Sequence, residues 1–184
     1  FFPVLSRHFL VLAVDLPGHG KTACPDDPDL YRMERVCADL LSLLDRLSVG
    51  AFHLLGYSMG GRVALHLALA ASRRVRSLVL ESASPGIADE GERQARRRQD
   101  EALARQLEEK GIEWFVDYWE NIPLFASQKR LPPDVRERLR RQRLAQRPQG
   151  LACSLRGMGA GVQGALHERL SELEMPVLLL TGRL

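Results

Sequence analysis

Lysine is almost missing from this sequence, with three residues against 23 arginines in 184. Two readings stand for that skew: a codon bias toward arginine, or guanidinium forks kept to grip carboxylates through paired hydrogen bonds. A net charge of only +3 and acidic residues interleaved with the basic ones argue against nucleic-acid binding, and no DNA or RNA motif is present. Cysteine is equally scarce. Cys24, Cys37 and Cys153 form no CxxC pair and are odd in number, which argues against a disulfide framework or a zinc site and fits a reducing cytoplasm. Long apolar runs are lacking too. The stretches Phe9 to Val14 and Val177 to Leu180 are strand-sized, far short of the roughly 18 residues that a membrane helix needs. The opening Phe1-Phe2-Pro3-Val4-Leu5 has no basic leader and no following apolar stretch, so no secretory signal is expected there. It has no initiator Met either, so the chain is expected to begin inside a longer protein. What remains, 45% hydrophobic and 27% charged, is the composition of a folded globular domain with one sizeable core.

Strand-length apolar runs alternate with segments of helical period, the pattern of a parallel sheet with crossover helices. Phe9 to Val14 is predicted as a buried strand halted by Asp15-Leu16-Pro17-Gly18-His19-Gly20. From Leu30 to Leu47 an apolar stripe at Met33, Val36, Cys37, Leu40, Leu41, Leu44 and Leu47 predicts a helix laid on the sheet, with Gly50 beyond its end. Strands are predicted at Ala51 to Leu55, Val75 to Glu81 and Val177 to Thr181, and a helix at Gly60 to Ala71. Between Ser82 and His167 strand signals vanish. Helical stretches at Glu90 to Lys110 and Asp134 to Gln146 suggest a cap, anchored by Trp114, Phe115, Trp119, Leu124 and Phe125. The expected organisation is a core at residues 1–81, a helical cap at 82–167 and a second core segment at 168–184.

The chemistry concentrates at Gly56-Tyr57-Ser58-Met59-Gly60, a GxSxG sequence between a predicted strand and a predicted helix. That setting is what a nucleophile elbow requires: a sharp, strained turn lifts the serine hydroxyl above the sheet, and the next residue's N–H faces a developing oxyanion. Ser58 is therefore the candidate nucleophile or base and Met59 the candidate oxyanion donor. Gly56 and Gly60 are expected to permit close approach of strand and helix.

These residues resemble the α/β-hydrolase superfamily, and the Asp15-to-Gly20 turn strengthens the likeness. A narrower resemblance follows from motifs in order: Gly56 to Arg62, Glu81-Ser82-Ala83-Ser84-Pro85-Gly86, Pro123 to Gln128, Gly150-Leu151-Ala152, and Leu155-Arg156-Gly157-Met158-Gly159. Together they look like the 2-succinyl-6-hydroxy-2,4-cyclohexadiene-1-carboxylate synthases of menaquinone biosynthesis. The resemblance implies an α/β-hydrolase fold, a parallel doubly wound sheet with an inserted helical cap, truncated at both ends. It implies a lyase that eliminates pyruvate from a cyclohexene bearing three carboxylates, with Ser58 as a histidine-activated base and no metal or organic cofactor. Carried over by motif spacing, the substrate-binding residues are Tyr57, Arg62, Arg96, Trp119 and Arg143. Placing Arg96 rests on Glu92-Arg93 and Asp100 flanking it, and Arg143 on its distance from Leu151-Ala152. A small polycarboxylate is the implied partner, with no nucleic acid and no membrane.

The fold's order of nucleophile, acid and histidine is not completed within these residues. His8, His19, His53, His66 and His167 are each expected to be structural, and the triad acid, histidine and second oxyanion donor are expected outside the chain. Gly182-Arg183-Leu184 departs from the family, in which an acidic residue follows that glycine. The superfamily strand that precedes Phe9 lies between the strands at Phe9 to Val14 and Ala51 to Leu55, so a local defect in the sheet is expected. Two other readings use the same elbow: a carboxylesterase or carbon–carbon bond hydrolase, and a non-catalytic binding protein on this fold.

Overall fold

The structure is a computed structural model that describes residues 2–182. Three parallel strands form its sheet in the order β1 (Phe52–Tyr57), β2 (Val75–Glu81), β3 (Val177–Leu180). Both faces of β2 are covered in part, with Leu78 and Leu80 buried on one and Val75 on the other. Helix α3 (Met59–Ala70) crosses from β1 to β2 and buries Val63, Ala64, Leu65, Leu67 and Ala68. Its Ala64, Leu65 and Ala68 join Val75, Leu78, Leu80, Leu166 and Met175 in one core cluster. Burying apolar area of this kind contributes roughly 25 cal/mol per Å2 and is what holds helix to sheet.

The predicted helix over Leu30 to Leu47 is present as α2 (Met33–Arg46), entered through a 3-10 turn at Pro28–Tyr31. Its stripe packs Met33 and Val36 with Tyr31, Val63, Cys153 and Met158, a second core cluster between α2, α3 and the cap. The residue that ends α2 in a left-handed conformation is Ser48 (φ 57), not Gly50. The Ser48 N–H donates to Asp45 O and the Val49 N–H to Leu44 O, which close the last turn before Gly50 is reached.

Between β2 and β3 the described elements are all helical. Helix α4 (Glu90–Asn121) is broken at Gly111, whose φ of 80 and ψ of −178 no helix accommodates. A 3-10 segment (Pro123–Arg130), α5 (Pro133–Leu144) and α6 (Pro148–Met158) follow. Asp89 caps α4 by accepting from the Glu92 N–H at 2.7 Å. Arg156 of α6 ties that helix to α4 by bonding both Glu101 (2.9 Å) and Glu108, and those hydrogen bonds hold the two carboxyls below their usual range. Trp114, Phe115 and Trp119 do anchor the cap cluster, and Phe115 stacks on Trp119 with ring centroids 5.3 Å apart while Phe125 meets Trp119 at a tilt, 5.6 Å away. Leu124 is not one of them, since it is 74% exposed.

One predicted strand needs correction. Phe9 to Val14 is not a strand: the segment forms no ladder with any described residue, and Phe9, Leu10, Leu12 and Val14 stand exposed. A strand exists only through its neighbours' hydrogen bonds, and here β1 pairs on one side alone, with β2. The expected sheet defect therefore takes the form of a gap. The single helical turn α1 (Phe2–Leu5) offers no substitute. Helix α6 lies beyond the two helical stretches named for the cap, in sequence that contains Pro148, Gly150 and Gly157. Pro148 occupies the first turn, where a missing N–H costs nothing. The two glycines let loops lie against the helix. A Cβ on Gly150 would collide with the Gly18 backbone, and one on Gly157 would sit 2.5 Å from Pro28 O.

Candidate functional site

Ser58 stands between the end of β1 and the start of α3 with φ 50 and ψ −113, a conformation that L-residues rarely adopt. The backbone outlier required of an elbow is thus present. Two backbone bonds hold it. The Ser58 N–H donates to Glu81 O at the end of β2 (2.9 Å), and Ser58 O accepts from the Arg62 N–H (3.0 Å), opening the helix. The Ser58 side chain makes no capping bond and is exposed, leaving its hydroxyl free of the helix. Met59, the first helical residue, has an N–H with no acceptor inside its own helix, as a developing oxyanion needs.

Close approach at the elbow is carried by Gly56 and Gly61. A Cβ on Gly56 would collide with the Gly60 carbonyl, and one on Gly61 with the Ala83 side chain. Gly60, expected to share this role, has nothing within 4 Å of where its Cβ would lie. The second glycine of the GxSxG sequence lies against Gly56 through its carbonyl but has open space at its own Cβ position, while the glycine after it does not.

The cap meets the elbow through α6. Ser154 Oγ lies 3.9 Å from Met59 Sδ, and Met158 O accepts from Arg62 Nη1 at 2.9 Å. The Asp15-to-Gly20 turn is fastened to the start of α6: Gly18 (φ 77) lies against Gly150, the Gly20 N–H donates to Gln146 Oε1 (3.0 Å), and Arg147 donates to Thr22 O. His19 spends its Nδ1 on Pro17 O (3.0 Å), and burial pushes its pKa down. That is a structural role.

The three arginines differ in their partners. Arg62 lies one turn after Ser58 on the same side of α3, and burial pushes its pKa down to about 10, with the Arg96 charge acting in the same direction. Arg62 and Arg96 are thus close enough to feel each other. Arg96 donates from Nε to Oδ1 of the buried Asp100 at 2.8 Å. Arg143 is engaged elsewhere, bonding Glu120 Oε1 (3.1 Å) and Gln128 Oε1 (2.7 Å) with its guanidinium 5.3 Å from the Phe125 ring centre. None of these contacts brings it to Arg62 or Arg96. Trp119 lies in the same aromatic row, between Phe115 and Phe125. Tyr57, immediately before the nucleophile, is 58% exposed.

Sequence reasoning missed Gln163. It is 4% exposed, and its Oε1 accepts from Arg62 Nη1. The only signal was a glutamine in a Gly-rich segment after α6, which composition alone does not distinguish from a loop residue. Among the described residues no group of three or more His, Cys, Asp or Glu could hold a metal, and no helix is long and apolar enough to cross a membrane.

The whole chain, residues 1–184, matches the model of the alpha/beta hydrolase fold family. It is 45% identical over 172 residues to a Bacillus subtilis (strain 168) protein named for 2-succinyl-6-hydroxy-2,4-cyclohexadiene-1-carboxylate synthase, covering 94% of this chain and 63% of that one. It is 33% identical over 181 residues to the synthase of that name from Klebsiella pneumoniae subsp. pneumoniae, covering 98% of this chain and 68% of the relative. Among solved structures it superposes on MenH from S. aureus with a TM-score of 0.85 at 41% identity, covering 90% of this chain and 62% of that one. The chain thus spans a little under two thirds of the length of the Bacillus relative. By fold, elbow and likeness together, the chain belongs to the α/β-hydrolase fold family and, within it, to the 2-succinyl-6-hydroxy-2,4-cyclohexadiene-1-carboxylate synthases.

Proposed function

We propose that the protein eliminates pyruvate from 2-succinyl-5-enolpyruvyl-6-hydroxy-3-cyclohexene-1-carboxylate, with Ser58 as the base. The observation that carries this reading is the strained Ser58 with Arg62 one turn behind it, beside relatives named for that synthase. Once a histidine has taken its proton, Ser58 Oγ removes the proton next to the succinyl ketone. The charge that develops on the ketone oxygen is met by the Met59 N–H. Collapse of the enolate forms the ring double bond and expels the enolpyruvyl group as pyruvate enolate, which takes up a proton to become pyruvate. Arg62 and Arg96 face the substrate's carboxylates, and Tyr57 and Trp119 wall the ring. Arg143 reaches the site only by exchanging Glu120 for a substrate carboxylate. No organic cofactor or metal enters these steps. A cytoplasmic location suits the free thiols of Cys24, Cys37 and Cys153.

Turnover of two substrates separates this reading from an esterase on the same elbow. The protein to use is a chimera in which residues 1–184 replace the matching segment of the Bacillus relative. Its kcat/KM for pyruvate release is expected to exceed that for p-nitrophenyl acetate hydrolysis at least a thousandfold, about 4 kcal/mol of transition-state discrimination. The reverse ranking would overturn the proposal in favour of an esterase.

A further inference from the structure

The three candidate arginines are held in different ways. Arg96 is paired with the carboxylate of Asp100, and Arg143 with that of Glu120. Arg62 bonds no carboxylate among the described residues, and the one acidic charge that acts on it, Asp100, is already paired with Arg96. Its Nη1 donates to two neutral acceptors, Met158 O and Gln163 Oε1, and its Nη2 and Nε have no recorded acceptor. A guanidinium in that state keeps its full charge and one edge of its donor fork for an incoming anion.

The other end of Gln163 is informative. Its Nε2 is buried without a hydrogen-bond partner, beside Gly86, where a Cβ would lie 3.0 Å from it. A buried amide donor left unpaired costs on the order of 1–3 kcal/mol, and an apolar residue of similar size would avoid that cost. Turning the amide over gives no relief, because Nε2 would then point its hydrogens at the donors of Arg62. The glutamine is fixed by its backbone as well: the Val162 and Gln163 N–H groups both donate to Gly159 O, and Leu166 N–H donates to Pro85 O (2.8 Å), pinning the segment beneath the elbow. The one favourable side-chain interaction that Gln163 makes is with Arg62.

We propose that Gln163 is a positioning residue that orients the Arg62 guanidinium toward a substrate carboxylate without placing a bonded carboxylate of its own on that charge. The amide carbonyl and Met158 O together fix Nη1, which aims the remaining edge of the fork. A glutamate would hold the same nitrogen more strongly, but it would neutralise the charge that the ligand needs. Glutamine is the side chain of that length that orients without quenching. The inference rests on the reading that Arg62 binds a substrate carboxylate.

The test measures Kd for 2-succinylbenzoate, an aromatic stand-in for the ring carboxylate and succinyl arm, on the 184-residue chain by calorimetry, with melting temperature read in parallel. Gln163→Leu is expected to weaken binding at least fivefold. Gln163→Glu is expected to weaken it at least tenfold while melting no lower than the unchanged chain, a combination that a purely structural role would not produce. Arg62→Met should also lose at least tenfold, and adding Gln163→Leu to it should cost nothing more, since no guanidinium remains to be aimed. Should Gln163→Leu fail to fold, the glutamate variant decides the matter. No binding by the unchanged chain, or unaltered affinity in Arg62→Met, would remove the underlying reading. A tenfold loss in Arg62→Met with both Gln163 variants within twofold of the unchanged chain would overturn the positioning role alone.

Discussion

At the scale of single residues, the elbow is an arrangement of strain and of missing side chains. Ser58 is held at φ 50 by its bond to Glu81 O and by the helix that starts after it, so the backbone strain is offset by the strands and α3 around it. The two motif glycines are not equivalent. Gly56→Ala would drive a methyl into the Gly60 carbonyl, and a loss of about 1–3 kcal/mol is expected in urea unfolding. Gly60→Ala meets open space in the first turn of α3 and is expected to leave stability unchanged or to raise it by up to about 1 kcal/mol. Equal losses at the two positions would show that the elbow's packing is not as described. Ser58 and Met59 were legible in the sequence because the signal is local: five residues between a strand pattern and a helix pattern. Gln163 was not, because its role depends on Arg62, 101 positions away. Gly61 was hidden in the same way, since only the fold brings Ala83 to it.

At the scale of elements, periodicity served well wherever an element is packed by its own stripe. The limits of β2 at Val75 and Glu81 and the helical character of α2 and α3 were read correctly from burial patterns. It failed for Phe9 to Val14, whose apolar run describes a strand only when neighbours supply the ladder, and it did not single out α6, whose glycines serve close packing. The join between α4 and α6 combines an apolar cluster that includes Ala104, Leu107 and Ala152 with the ion pairs of Arg156, and the ion pairs carry a pH dependence. Glu101 and Glu108 are held below the usual carboxyl range chiefly by hydrogen bonds from Arg156. Their contribution is therefore present above the ordinary carboxyl pKa near 4.5 and is lost as pH falls through their lowered values. Arg156→Met is expected to cost about 1–2 kcal/mol at pH 7 and to flatten the fall in melting temperature between pH 5 and about 3. His66, in α3, works at higher pH. Burial lowers its pKa, and its Nε2 is buried without a partner. The folded chain thus favours neutral His66 while the unfolded chain takes up a proton below about 6.5, so stability is lost as pH falls through that value. The slope of melting temperature against pH between 7 and 5 is expected to be shallower in His66→Gln, and an unchanged slope would assign the acid sensitivity to other groups.

At the scale of the whole molecule, the sheet is the unfinished part. Leu55 and Tyr57 of β1, all four residues of β3, and Phe9, Leu10, Leu12 and Val14 of the unpaired segment present apolar surface to solvent. Exposed apolar strand edges invite pairing with other chains. Sedimentation of the 184-residue chain is expected to show association that strengthens with concentration and weakens in a Leu10→Lys, Leu179→Lys double variant. A strictly monomeric chain at high concentration would contradict that reading of the surface. Among the described residues no histidine is hydrogen-bonded to Ser58. His19 is bonded to Pro17 O, and His53 Nδ1 lies 2.7 Å from Ser77 Oγ. His66 follows Ser58 by eight residues, about 12 Å along the helix axis. None of these contacts joins a histidine to Ser58, which sets a clear experimental contrast between the chain by itself and the chain joined to the rest of a relative. Pyruvate release from 2-succinyl-5-enolpyruvyl-6-hydroxy-3-cyclohexene-1-carboxylate, measured side by side for the Bacillus chimera, its Ser58→Ala variant and the 184-residue chain alone, tests the central claim most directly. The chimera is expected to turn over within about tenfold of the Bacillus relative, Ser58→Ala to fall by roughly 10^4- to 10^6-fold, and the chain alone to remain below a thousandth of the chimera. A folded chimera that releases no pyruvate, or a Ser58→Ala variant that keeps a tenth of its rate, would contradict the account.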